Sequence, residues 1–190
     1  VIAYMTVRDL ISQSIDVKQQ LLDDVYVSVI DQIGETIISA LKEGRHVLVA
    51  GNGGSAADAQ HFAGELAGRF LIEREPLPVL SLTTNTSFIT AIGNDISYDQ
   101  VFSRQVEAYG KQKDVFVGIS TSGNSKNILD AFVVAKRKGL ICIGLLGKGG
   151  GQAKPLCDLA LVVPSANTQY IQEAHIAVIH VLCYLVDMAW

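Results

Sequence analysis

Several things are scarce in this sequence, and each scarcity narrows the reading. Cysteine occurs only as Cys142, Cys157 and Cys183 in 190 residues, far apart and each in an apolar context. An odd, scattered set like this argues against a disulfide framework or a CxxC metal knuckle and suits a reducing, cytoplasmic setting. A basic surplus is also missing, since 15 Lys and Arg stand against 19 Asp and Glu for a formal charge of −4. A polyanionic backbone would find little to hold, so nucleic acid is not an expected partner and a small molecule or a protein is. No apolar run approaches the roughly 20 residues that cross a bilayer, so no membrane association is expected. The opening "VIAYM" is too short for a signal h-region and lacks a basic flank.

What is present is strongly patterned. Between residues 7 and 43, Leu10, Ile11, Leu21, Leu22, Val29, Ile30, Ile33, Ile37, Ile38 and Leu41 recur at helical spacing, which predicts two helices broken near Asp23–Asp24. From Arg45 the pattern becomes short, continuous apolar runs at Val47–Ala50, Val79–Leu82, Val115–Ile119, Ile141–Leu145 and Leu159–Val163. Unbroken apolar runs are how strands covered on both faces read. Helical stretches at Ala56–Ala67, Thr86–Ile92, Gln100–Tyr109, Asn127–Lys138 and Ile171–Met188 separate or follow them. The alternation predicts one α/β domain spanning residues 1–190, a three-layer sandwich with a five-stranded parallel sheet, preceded by N-terminal helices over residues 1–44.

In such sheets ligands bind beyond the carboxyl ends of the strands, and turn chemistry collects there. "GNGGS" at 51–55 opens a helix and can aim backbone N–H groups at one point, which suits an anion. It is neither a Walker loop nor GxGxxG, so a nucleotide is not indicated. "STSGNS" at 120–125 places Ser120, Thr121, Ser122 and Ser125 before another helix start, and four hydroxyls with a helix dipole describe a phosphate cradle. A simple N-cap would account for one of them.

His61 and Glu65 lie four apart on a predicted helix and share a face, so one ion could reach both; the plainer alternative is a stabilising pair on a solvated face. His180 sits in the apolar stretch "HIAVIHVLCYLV", where a lone His is commonly a core residue bonded to a backbone carbonyl. His175, five positions earlier, projects about 140° away from it and cannot share a narrow face.

The two loops, in this order and spacing, resemble the SIS (sugar isomerase) domain over nearly the whole chain. More narrowly, "GNGGSAADAQHFAGEL", "AIGND", "GISTSGNS" and "IQEAHIAVIH" resemble the phosphoheptose isomerases. The resemblance implies an aldose–ketose isomerase acting on D-sedoheptulose 7-phosphate and D-glycero-D-manno-heptose 7-phosphate. It implies substrate contacts from Asn52, Gly53, Gly54, Ser55, Glu65, Asn94, Asp95, Ser120, Thr121, Ser122, Ser125 and Gln172, an acid/base pair of Glu65 and His180, and a homotetramer. It also implies one zinc ion per subunit at His61, Glu65, Gln172 and His180. Gln172 and His180 are eight apart, about 12 Å along a straight helix, so one chain brings them to one ion only if the helix starts late or one side chain reaches back. Otherwise subunits share the site, or Gln172 touches substrate instead. The rival function is that of a non-catalytic SIS adaptor that binds a replication initiator; the presence of Glu65 and His180 favours the enzyme.

Overall fold

The computed structural model describes residues 5–190, so most of the "VIAYM" segment falls outside the described residues. Helix α1 (Val7–Gln20) begins at a capping box in which Thr6 Oγ1 accepts the Asp9 N–H and the Asp9 carboxylate accepts the Thr6 N–H. A tight turn at residues 21–23 ends it, and α2 (Asp24–Lys42) follows, which places the break where the two aspartates predict it.

The remaining elements run β1 (Val47–Gly51), α3 (Gly54–Ala67), β2 (Val79–Ser81), α4 (Thr86–Asp95), α5 (Ser103–Tyr109), β3 (Val115–Ser120), α6 (Lys126–Lys138), β4 (Ile141–Leu146), β5 (Leu159–Val162) and α7 (Thr168–Asp187). All five strands are parallel, in the order β2-β1-β3-β4-β5. The strands read as unbroken apolar runs because alternate residues enter two different cores. Val47, Val49, Val115, Val117, Ile143 and Leu145 face α2, α3 and α7. Leu48, Ala50, Phe116 and Cys142 face the opposite way, toward Val106, Ile128, Phe132 and Ala135 of α5 and α6. Helix, sheet and helix thus form three layers, as the sequence predicts.

Boundaries differ from expectation by two residues or more at four places, and at one of them α7 begins at Thr168 rather than Ile171, so no late helix start brings Gln172 toward His180. Helix α3 starts at Gly54 rather than Ala56, so Ser55 lies in its first turn and is buried. Helix α4 continues through Asn94 and Asp95, since nothing in "GND" terminates it before Ile96. The predicted helix over Gln100–Tyr109 divides into a 3₁₀ turn at Tyr98–Gln100 and α5. Val101 and Phe102, between the two pieces, are both buried in the core. All three cysteines are free thiols whose pKa burial pushes up to about 12, which leaves them unreactive. Among the described residues no helix is long and apolar enough to cross a membrane.

The register aligns Gly51 with Ile119, and Ser120 with Leu146. The loops after β1, β3 and β4 therefore emerge side by side at one edge, and that edge is where the site is built.

Candidate active site

The loop after β3 is folded around its own hydroxyls. Ser120 Oγ accepts the Gly123 N–H at 3.1 Å and stands 3.2 Å from Ser125 Oγ, while Ser122 Oγ accepts the Asn124 N–H at 3.1 Å. Ser125 occupies the N-cap of α6, yet its side chain makes no capping hydrogen bond. The hydroxyl that capping would consume is turned toward the loop instead, where it can donate to an anion. Thr121 and Ser122 are half-buried beside it.

A second loop braces this one from behind. Gly123 has φ +63°, and a Cβ there would collide with the Gly150 carbonyl. Its own carbonyl accepts the Ala153 N–H at 2.9 Å. Asn124 Oδ1 accepts from the Gln152 backbone N–H at 3.1 Å and the Gln152 side chain at 3.3 Å. The glycine-rich stretch after β4, which has the left-handed Gly149, Gly150 and Gly151, is thus a backbone wall for the hydroxyl loop.

The loop after β1 faces it. Gly51 has no room for a Cβ because the Ser55 backbone lies against it, and Gly53 turns at φ +55° into the start of α3. Asn52 and Asn127 exchange side-chain hydrogen bonds of 2.8 and 2.9 Å, which tie this loop to the first turn of α6. The Tyr98 hydroxyl donates to Asn52 Oδ1 at 3.1 Å. That contact draws in the segment carrying Asn94 and Asp95, two exposed residues at the end of α4 that hydrogen-bond each other at 2.7 Å.

The ionisable residues gather farther along α3. His61 Nε2 lies 2.9 Å from His180 Nε2 and 3.3 Å from Glu65 Oε1. Gln172 stands elsewhere, against the N-terminus of α3, where a Cβ on Gly54 would lie 2.5 Å from its Nε2. Helices α3 and α7 run side by side with 54 beside 172 and 61 beside 180, so Gln172 and the histidine pair are about two turns apart. Two imidazoles and a carboxylate are zinc-type donors, and His61 lies close to both of the others. As they stand they bond to one another, and among the described residues no group of three or more His, Cys, Asp or Glu is arranged to hold a metal ion.

Several neighbours of this cluster are absent from the sequence reading. Phe70, in the segment between α3 and β2, stacks on His180 with ring centroids 5.9 Å apart and planes 17° from parallel. That segment is clamped by a buried ion pair: Arg74 Nε donates to Asp187 Oδ1 at 2.8 Å, and Asp187 Oδ2 accepts the Leu71 and Ile72 N–H groups. The Arg74 guanidinium also reaches the Leu66 and Glu65 carbonyls. Asp58, one turn before His61, has a buried oxygen without a partner, and burial raises its pKa to about 6 against the opposing pull of His61. Its i, i+3 spacing to His61 in "DAQH" was the available signal; nothing in the sequence marks Phe70 or the Arg74–Asp187 pair. His175 is the core histidine of α7, fully buried with Nε2 3.0 Å from the Leu146 carbonyl.

A parallel sheet whose edge carries a glycine loop and a hydroxyl-ringed helix start defines a sugar isomerase (SIS) domain, and residues 13–147 match the family model described as SIS domain. The phosphoheptose isomerase of Clostridium acetobutylicum is 52% identical over 178 residues, covering 93% of this chain and 91% of its own length. Phosphoheptose isomerase 1 of Campylobacter jejuni is 56% identical over 158 residues, covering 83% and 85%. The solved phosphoheptose isomerase of Neisseria gonorrhoeae superposes with a TM-score of 0.90 at 43% identity, over 96% of this chain and 97% of that one. The chain belongs to the SIS domain family and, within it, to the phosphoheptose isomerases.

Proposed function

We propose that this protein interconverts D-sedoheptulose 7-phosphate and D-glycero-D-manno-heptose 7-phosphate in the cytoplasm, an early step toward nucleotide-activated heptose for bacterial surface glycans. The observation that carries the reading is Ser125, an N-cap residue whose hydroxyl is withheld from its helix and faces the Ser120–Ser122 loop. The relatives support it by name, and they lend the adaptor reading no support.

On this reading Ser120, Thr121, Ser122 and Ser125, with Ser55 behind the first loop, serve the phosphate. Asn52, Gly53, Gly54, Asn94, Asp95 and Gln172 serve the sugar. Isomerisation removes a proton from C1 of the ketose, passes through an enediol and returns a proton to C2, while a proton moves between the two oxygens. Glu65 and His180 divide these transfers between carbon and oxygen. Phe70 keeps the His180 ring from swinging, and the Arg74–Asp187 clamp keeps Phe70 in place. A zinc ion, one per subunit, would be held by His61, Glu65 and His180 and would supply a Lewis acid to polarise the carbonyl. Gln172, implied by the family pattern as a fourth ligand, faces the first loop within its own chain.

The assembly proposed is a homotetramer. Val7, Ile11 and Ile15 on α1, Val25 on α2 and Met188 after α7 are more than half exposed, an apolar surface that suits burial against other copies. The deciding experiment is NMR of purified protein with sedoheptulose 7-phosphate, with and without added zinc. Resonances of the aldose phosphate are expected; no turnover in either condition rejects the reading.

A further inference from the structure

The fold places three separately folded pieces of the site edge within hydrogen-bonding reach of one side chain. Asn52 belongs to the loop after β1, Asn127 to the first turn of α6 behind the hydroxyl loop, and Tyr98 to the turn that follows Asn94 and Asp95. Asn127 is almost wholly buried, at 3% exposure, in a position where an apolar residue would pack with less desolvation cost. Its carboxamide is spent on Asn52, with Nδ2 donating to Asn52 Oδ1 at 2.9 Å and Oδ1 accepting from Asn52 Nδ2 at 2.8 Å. Tyr98 donates a second hydrogen bond to the same Oδ1 at 3.1 Å.

The consequence concerns what Asn52 can still do. A carboxamide has two acceptor sites on its oxygen and two N–H donors. With Oδ1 accepting twice and one N–H given to Asn127, a single N–H is left, and the plane of the group is fixed by the reciprocal pair. We propose that Asn127 and Tyr98 are positioning residues that hold Asn52 as a one-way hydrogen-bond donor toward a sugar oxygen, and that in doing so they set the sugar's position relative to the phosphate loop. The proposal rests on the phosphosugar reading of the site. It separates two contributions to binding: the hydroxyl loop reads the phosphate, and the Asn52 bridge reads the sugar attached to it.

The test measures binding of two ligands by calorimetry, sedoheptulose 7-phosphate and inorganic phosphate, to the protein and its variants, alongside steady-state kinetics. Asn127→Ala is expected to weaken the sugar phosphate about tenfold, with inorganic phosphate changed by less than about threefold, as removal of one partner from a buried pair costs more than loss of an exposed bond. Tyr98→Phe removes only a hydroxyl from an exposed residue, tolerates no ambiguity about folding, and is expected to act in the same direction by about threefold. In an Asn52→Ala background, Asn127→Ala should weaken the sugar phosphate no further, because Asn127 acts through Asn52; a merely structural role would still show there. Equal weakening of both ligands, no weakening of either, or additive losses in the double variant would overturn the inference. So would a wild-type protein that binds the sugar phosphate no more tightly than inorganic phosphate. A wild type that binds it tightly without turnover would instead reject the isomerase reading while the binding comparison still decides this one.

Discussion

The two ends of the site are built on opposite plans. At the end proposed to hold phosphate, backbone and hydroxyls from one short loop are interlocked with a second loop, and buried or half-buried residues carry most of the geometry. At the ionisable end, three side chains on two helices meet at an exposed position, with His61 40% and Glu65 25% exposed at their side chains. An anion can be held by preformed N–H and O–H dipoles that need no change of charge. Proton transfer needs groups that change charge and therefore need room, solvent or an ion to accommodate it. The first end is braced by contacts within the chain; the second has its side chains partly exposed.

The largest effect expected is at the open end. Glu65→Gln keeps the shape of the side chain, so folding and phosphate binding should persist while turnover falls by roughly 10² to 10⁴, the usual span for a lost general acid or base. Rapid-quench or NMR turnover measurements check it. Near-normal turnover would remove Glu65 from the chemistry and with it the contrast between the two ends.

Next in size is a pH effect on the helix that serves both. His175 anchors α7 to the carbonyl of Leu146, immediately before the bracing loop, and burial lowers its pKa from 6.5 to about 4 although the carbonyl contact opposes the shift. Between those two values the unfolded chain takes up a proton that the folded chain refuses. Stability should therefore fall as pH drops below about 6.5, with the loss complete near pH 4 and worth roughly 3 kcal/mol. Urea unfolding at pH 7, 5 and 4 measures it, and His175→Gln should show a shallower pH slope than the wild type whatever its stability at pH 7. Parallel slopes would mean that other groups carry the acid sensitivity.

These contrasts also separate what the sequence discloses from what it conceals. The strands are legible because burial on both faces leaves continuous apolar runs, and the two loops are legible because glycine and clustered hydroxyls have few other uses before a helix. Glu65 and His61 are visible through their i, i+4 spacing. What stays hidden depends on contacts between distant segments. Phe70 and Arg74 lie in an irregular stretch with no periodicity, and only the path of the chain brings them to His180 and Asp187. Asn127 reads as an ordinary early-helix residue until Asn52, 75 positions away, is placed against it. Of the two histidines of α7, the core residue bonded to a carbonyl is His175, and His180 is the exposed one, so the family resemblance and not the apolar context marks His180. Helical angle alone separates them without saying which faces inward.

A smaller effect should come from the bracing of the phosphate end. Gly123→Ala puts a Cβ on a left-handed backbone and into the Gly150 carbonyl, a strain of about 1 to 3 kcal/mol. If the two loops are a unit, the affinity for inorganic phosphate should fall together with thermal stability. Lost stability with unchanged phosphate affinity would separate the brace from the cradle.

The smallest effect is the most diagnostic for the cradle itself. Ser122 Oγ accepts the Asn124 N–H and is one of four hydroxyls in the loop, so Ser122→Ala removes one hydrogen bond among several. The stranded Asn124 N–H belongs to an exposed residue and can be solvated, which keeps the stability cost low. Substrate binding should weaken by about 1 kcal/mol, or about fivefold in Kd, with kcat nearly unchanged, because the phosphate is held equally in ground and transition states. Titration with inorganic phosphate checks the loop alone, and steady-state kinetics with the sugar phosphate checks whether the loss stays in KM. An unchanged affinity would reduce the loop to a turn that starts a helix, while a drop in kcat would show that the closed end of the site takes part in the chemistry of the open one.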